Sequence, residues 1–351
     1  MKVAVFLPNL IGDMVMATPT LRALRKFFGP AAQLSGIARR PVPDLLAGTN
    51  WLDEIILYDA KGKSGLTSWQ LIRRMRDEDF DLALLCTNSL RTGLLAWAGG
   101  ARQRVGYACY GRGPLLTRRL EYPRHSQAQA RVVAYPMVDY YLQLAYAVGC
   151  PQETRRLELA VTDSEQQQAH QVWQQLGLRS QVSVFNCSGG YGAAKLWPTE
   201  HFAQLARRTA QELDQDVLVL CGPSEKQTAS EIVQQAAHPR VFSLAEFPLS
   251  LGLSKACIQR SQVMVTTDSG PRHMAIALGV PVVSLFGPTP AIWGENPTAR
   301  ETQLQLPLAC SGCHRRECPL GHHRCMTDLT PDVVFQAMLA RLQPQRKALA
   351  A

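Results

Sequence analysis

The chain has 351 residues, 46% of them hydrophobic and 19% charged, which leaves room for two folded domains and excludes a disordered chain. No apolar run reaches the roughly 18 residues that span a bilayer, and the first apolar run stops at Pro8, too early for a signal peptide. The net charge of +9 is uneven: residues 1–150 hold 19 Lys and Arg against 11 Asp and Glu, and the remainder holds 18 against 17.

Short runs of Val, Ile and Leu alternate with amphipathic stretches from end to end. That is the pattern of parallel sheets covered by helices on both faces. In the first half it predicts strands at 3–7, 33–38, 54–58, 82–86 and 104–106, and helices at 14–28, 68–76, 89–97 and 133–148. In the second half it predicts strands at 182–186, 217–221, 241–243, 263–267 and 282–286. Helices lie between them at 199–213, 224–237, 249–260 and 271–278, and a final helix runs over about 331–342 before a Lys/Ala tail. Residues 161–180 are rich in Gln, lack a strand and read as a linker. The expectation is an α/β protein with doubly wound, Rossmann-like domains at 1–160 and 181–330, then a C-terminal helix and tail at 331–351. Two such sheets facing each other form a cleft lined by the carboxyl ends of their strands.

The unusual polar residues collect at those ends. The first strand runs into Asn9, Gly12 and Asp13. The strand 182–186 runs into Ser188-Gly189-Gly190-Tyr191, a glycine-rich loop that carries one lysine, Lys195. After 217–221 come Gly222-Pro223-Ser224-Glu225, and after 263–267 come Asp268-Ser269-Gly270-Pro271-Arg272-His273. Backbone N–H groups at such a helix start favour anions, and glycine lets a ligand approach the backbone, so this last turn reads as a phosphate site. Each residue also has a plain structural role open to it. Asp13, Asp268 and Ser269 suit helix N-caps, Glu225 a first helical turn, Lys195 a solvated loop and His273 a packed interior. Four polar loops at strand ends in two domains make a shared site the better reading.

Residues 86–124 hold seven arginines (Arg91, Arg102, Arg104, Arg112, Arg118, Arg119, Arg124) and one acid, Glu121. Such a field attracts nucleic acid, anionic lipid or an anionic glycan, and no nucleic-acid-binding signature accompanies it. The acidic run Asp77-Glu78-Asp79-Phe80-Asp81 precedes a strand, so it sits at the amino end of the sheet and reads as a solvated turn. No GxGxxG follows the first strand and no GxxxxGK[ST] occurs, so neither a dinucleotide dehydrogenase nor a P-loop ATPase is supported. Ten cysteines without an export signal fit reduced thiols in the cytoplasm. Cys310, Cys313, Cys318 and Cys325 cluster at spacings that suit a structural zinc site or a tightly packed loop.

The motifs Leu10-Ile11-Gly12-Asp13-Met14, Gly192-Ala193-Ala194-Lys195-Leu196-Trp197-Pro198, Gly222-Pro223-Ser224-Glu225 and Asp268-Ser269-Gly270-Pro271-Arg272-His273 occur in order along the chain. With Phe286-Gly287-Pro288-Thr289, they resemble glycosyltransferase family 9, the ADP-heptose:lipopolysaccharide heptosyltransferases. The lysine loop and the stretch Cys318-Pro319-Leu320-Gly321-His322-His323-Arg324-Cys325-Met326 are most similar to heptosyltransferase II. The resemblance implies a GT-B fold, with the acceptor on the N-terminal domain and ADP-heptose mainly on the C-terminal one. It implies inverting transfer to the anionic inner core of lipopolysaccharide, without a metal or other cofactor. The place of work it implies is the cytoplasmic face of the inner membrane, through peripheral contact. On this reading Asp13 is the base, and Lys195 the catalytic cation at the donor's diphosphate. Ser188, Gly189, Gly190, Tyr191, Glu225, Asp268, Ser269, Gly270 and His273 complete the donor site. Asn9, Gly12, Arg91 and Arg118 stand on the acceptor side.

Overall fold

The structure, a computed structural model, describes residues 1–121, 135–190 and 192–349, with side chains through residue 342. It divides into two compact units, Met1–Ala160 with Gly294–Asn296, and Val161–Trp293 with Pro297–Ala351.

The first unit runs β1 (Lys2–Phe6), α1 (Ile11–Met16), α2 (Thr18–Phe28), β2 (Gln33–Ala38), α3 (Val42–Leu46), β3 (Glu54–Leu57), α4 (Ser68–Glu78), β4 (Leu82–Leu85), α5 (Leu90–Ala98), β5 (Gln103–Tyr107), β6 (Arg118–Leu120) and α6 (Met137–Tyr146). The strands form one parallel sheet in the order β3-β2-β1-β4-β5-β6. Central strands β1 and β4 are apolar on both faces because helices cover both sides. On one face Phe6, Leu71, Met75, Phe80, Leu85 and Leu95 close into a buried cluster. The order of connection reverses between β1 and β4, so their carboxyl ends make the crevice where an open α/β sheet binds ligands.

The second unit runs α7 (Asp163–Leu176), β7 (Val182–Asn186), α8 (Thr199–Leu213), β8 (Asp216–Leu220), α9 (Lys226–Ala236), β9 (Val241–Ser243), α10 (Leu251–Gln259), β10 (Val263–Thr267), α11 (Gly270–Ala277), β11 (Val282–Phe286), β12 (Glu301–Gln305), α12 (Arg324–Thr327) and α13 (Pro331–Leu349). Its parallel sheet is ordered β12-β11-β10-β7-β8-β9, the same topology again. The switch point here lies between β7 and β10, where Asn186 stands level with Thr266.

Several features depart from the sequence expectation, the short helices α3 and α12 among them. Residues 161–180 are no plain linker, since most of them form α7. Its N-terminus is a capping box in which Thr162 Oγ1 accepts from Glu165 N (3.3 Å) and Glu165 Oε2 accepts from Thr162 N (2.9 Å). The helix expected at 14–28 breaks at Ala17, because Pro19 opens α2 and lacks an N–H for a continuous helix. Edge strands β6 and β12, with sequences RRL and ETQLQ, carry no apolar run and so gave no strand signal. The helix expected at 133–148 is described from Met137 onward, and residues 133 and 134, with Arg124, lie outside the described residues.

Candidate active site

In the second unit the loops after β7 and β10 are stitched together. The Asn186 amide donates to Thr266 Oγ1 and to Ser269 Oγ, both at 3.0 Å. Thr267 Oγ1 donates to the Ser188 carbonyl at 2.6 Å. Ser269 occupies the N-cap position of α11. Lys195 closes a short 3-10 turn and aims Nζ at Asp268, 2.6 Å from Oδ2 and 2.9 Å from the backbone oxygen.

Asp268 opens a chain of paired charges that runs inward. Its Oδ1 faces Arg272 Nη1 at 3.4 Å. Arg272 is wholly buried and grips Glu301 of β12 through Nε–Oε1 at 2.6 Å and Nη2–Oε2 at 2.8 Å. Ser284 Oγ donates to the same Glu301 oxygen. Burial, the largest influence, would raise both carboxyl pKa values, but Arg272 and Lys195 together at Asp268, and Arg272 with the Ser284 and Gln303 hydrogen bonds at Glu301, outweigh it and hold both below the usual carboxylate range. The chain Lys195–Asp268–Arg272–Glu301 thus alternates basic and acidic side chains, two of each. Lys195 is its partly exposed outer end, the member a ligand can reach.

His273 sits beside this chain, buried, with Nε2 3.4 Å from Arg272 Nη1. Burial, then the Arg272 charge, push its pKa down to about 3, so the ring is neutral and brings no positive charge. Its Nδ1 is buried without a hydrogen-bond partner among the described residues. The lysine loop is held from behind by the cysteine-rich segment. Ala194 N donates to Arg316 O at 2.9 Å, His323 Nε2 lies 2.8 Å from Ala194 O, and Trp197 Nε1 donates to Leu329 O at 2.8 Å. Gly192 has φ +156°, and a Cβ there would lie 2.5 Å from Arg316 O, so the loop closes this tightly only with glycine.

Glu225 folds back on its own turn, where Oε2 accepts from Gly222 N at 2.9 Å and Oε1 from Ser224 Oγ at 2.9 Å. Gly189 and Gly190 lie in the loop after β7, and Tyr191 is outside the described residues. The ten cysteines are free thiols. Among the described residues no group of three or more His, Cys, Asp or Glu is placed to hold a metal ion, and the segment of Cys310, Cys313, Cys318 and Cys325, for which the sequence left a zinc site and a packed loop open, packs behind the lysine loop.

In the first unit a cavity of about 360 Å³ lies at the carboxyl ends of β1, β2, β3 and β4, with Asn9, Arg39, Tyr58, Ser89, Arg91 and Thr92 among its lining. The Arg39 guanidinium stands 5.8 Å from the centre of the Tyr58 ring. Ser89 caps α5, accepting from Thr92 N at 3.2 Å. Asn9 and Arg91 thus meet at one cavity, while Gly12 lies in α1 and Arg118 on the edge strand β6. Asp13 sits in the first turn of α1, partly buried, where the helix dipole favours a carboxylate; the position before the helix belongs to Leu10. The arginine cluster separates by role. Arg112 is wholly buried and pins the β4–α5 loop, donating to Asn88 Oδ1 at 3.0 Å and to Thr87 O. Arg102 pairs with Asp79 and Asp81, which places the acidic run in a salt-bridged corner. Arg91, Arg118 and Arg119 are exposed.

The model of glycosyltransferase family 9 (heptosyltransferase) matches residues 68–324, most of the chain, the whole paired-charge chain included. The chain belongs to this family. The heptosyltransferase is 26% identical to the Lipopolysaccharide heptosyltransferase 2 of Escherichia coli K12, over 97% of this chain and 99% of that protein. Its structure is similar to that of the E. coli ADP-heptose lps heptosyltransferase II, with a TM-score of 0.78 and 25% identity over 99% of this chain and 100% of the other. It is also similar to a family 9 glycosyl transferase of Veillonella parvula, with a TM-score of 0.81 and 22% identity over 98% and 97% of the two chains. The fold is accordingly GT-B, as the sequence motifs implied. Three residues escaped sequence reasoning. Arg272 stood inside a quoted motif without a role, Glu301 lies on a strand that gave no apolar signal, and Arg39 follows β2, where no polar motif drew attention.

Proposed function

We propose that this heptosyltransferase moves L-glycero-D-manno-heptose from ADP-heptose to the inner core of lipopolysaccharide, with inversion at the anomeric carbon and without a metal. The observation that carries this is Lys195 at the β7/β10 switch point, held by Asp268 beside the start of α11. A departing diphosphate gathers negative charge on its β-phosphate. The Lys195 ammonium and the N–H groups of the α11 start meet that charge. Neutral His273 adds at most a hydrogen bond, and Glu225 turns outward to the ribose hydroxyls when the nucleotide enters. Asp13 takes the proton from the acceptor hydroxyl as it attacks. The cavity at Asn9, Arg39 and Arg91 receives an anionic group of the acceptor, since the arginine fork matches carboxylate and phosphate. The similarity to proteins named heptosyltransferase 2 or II supports this acceptor class.

Donor competition tests the reading. ADP is expected to raise the melting temperature more than UDP or GDP, and ADP-heptose is expected to be consumed on a defined inner-core acceptor in excess EDTA. Preference for another nucleotide would overturn the donor assignment. Loss of turnover in EDTA would overturn the metal-free mechanism.

A further inference from the structure

We propose that the outer face of α5 is a docking surface that seats the first unit on an anionic lipid bilayer. A surface helix ordinarily turns its charges to solvent and its apolar stripe to the core. Helix α5, with the sequence LRTGLLAWA, does not. Leu90, Leu94 and Trp97 fall on one stripe by their spacing, and they are 44%, 44% and 57% exposed. Arg91 is the one charged residue of the helix. Tyr110, in the loop between β5 and β6, is 73% exposed. Gly93 packs so closely on the turn before β6 that a Cβ there would lie 3.2 Å from Leu115 Cδ1, which ties α5 to the segment that leads into Arg118 and Arg119.

Charge decides the occupant. Residues 82–120 hold six arginines and no Asp or Glu. Two copies of the chain docked through this face about a twofold axis would set Arg91 and Arg119, the residue of β6 that shares the α5 side of the sheet, against like charges. A bilayer with anionic headgroups gives those arginines counter-charges, while Leu94, Trp97 and Tyr110 sit at the boundary of headgroup and acyl chain, where amphipathic aromatics are enriched. The same helix opens the cavity with Ser89, Arg91 and Thr92. A lipid-borne acceptor would thus be drawn from the surface on which α5 rests, a step that depends on the acceptor proposed above.

Flotation with vesicles tests the surface. The full chain is expected to float with vesicles of phosphatidylglycerol and phosphatidylethanolamine and to stay behind with neutral phosphatidylcholine. The double variant Leu94→Gln/Trp97→Gln is expected to lower the partition coefficient by roughly tenfold or more, and Arg119→Glu by roughly fivefold or more. Unchanged partition in both would overturn the proposal. So would a dimer in sedimentation that Leu94→Gln/Trp97→Gln splits while flotation persists, since a second copy would then cover the face. Should the double variant fail a melting check, Arg119→Glu and Tyr110→Ser carry the test. Turnover separates the two readings: the double variant is expected to keep its rate on a delipidated core acceptor and lose rate on the same acceptor in vesicles. If the wild type turns over neither acceptor while flotation holds, the acceptor assignment fails and the docking surface stands.

Discussion

Glu301→Gln is the sharpest probe of the paired-charge chain, because it keeps the shape of the side chain and removes its charge. The substitution leaves Arg272 wholly buried beside Asp268 at 3.4 Å, and removes the charge of the carboxylate that binds it at 2.6 and 2.8 Å. Removing one partner of a buried ion pair costs about 3–5 kcal/mol, because the other charge stays buried and uncompensated. At roughly 2–4 °C per kcal/mol for a unit of this size, the melting temperature of the second unit is expected to fall by roughly 10 °C. Calorimetry on the full chain, with the transitions of the two units resolved, measures it. Replacing both partners, Arg272→Met with Glu301→Leu, is expected to restore most of the loss, since an apolar pair of similar volume often does as well as a buried ion pair. A loss near that of an exposed pair, under about 1 kcal/mol, would refute the reasoning, as would a double variant no better than the single one.

Three further outcomes follow from the site. Asp13→Ala is expected to lower kcat roughly 10²–10⁴-fold while ADP affinity in titration calorimetry stays within error, the signature of a lost base; substantial retained turnover would remove Asp13 from that role. Lys195→Ala is expected to weaken ADP binding roughly tenfold to a hundredfold, the worth of a charge-assisted bond to phosphate; unchanged affinity would remove the diphosphate contact. His273 is neutral when folded, with a pKa near 3, and titrates near 6.5 when unfolded. Between those values the unfolded chain binds the extra proton, so stability is full above pH 6.5 and falls as pH drops toward 3. At pH 5 the loss is about 2 kcal/mol, and urea unfolding of His273→Asn at pH 7 and pH 5 should lack that part of the acid slope.

Fold and family were readable because both rest on local, repeated signals. Buried parallel strands are continuous apolar runs, and motifs at their ends carry glycine, proline and charge at fixed spacing. The edge strands β6 and β12 carry neither signal, unlike the edge strands β3 and β9. Arg118–Leu120 and Glu301–Gln305 are mostly polar, so one margin of each sheet was hidden. The partner of Arg272 was hidden with it: Glu301 is 29 residues away in sequence and meets Arg272 only through the register that sets Ser284 opposite Gln303. The arginine cluster shows the opposite limit. Composition reads Arg112 and Arg91 alike, yet one is a wholly buried tie on the β4–α5 loop and the other lines a cavity. Tertiary context separates them, and a single sequence carries no trace of it.

The two sheets share one strand order and so offer the same crevice twice, but the chain equips the two crevices in opposite ways. At β7/β10 each charge has a partner, from partly exposed Lys195 inward to Glu301, so on the proposed function a diphosphate that takes Lys195 from Asp268 leaves Asp268 still faced by Arg272. The pairing lets the site exchange one anion for another without stranding a buried charge, which is what repeated binding and release of a nucleotide requires. At β1/β4 the cavity instead presents Arg39 and Arg91 among Asn9, Ser89 and Thr92, with no acidic residue among the described residues that line it. A lining of that sign suits the anionic acceptor group proposed above. On the function proposed above, the balanced crevice serves the leaving group and the unbalanced one the acceptor, with Asp13, in the first turn of the helix that follows β1, as the base.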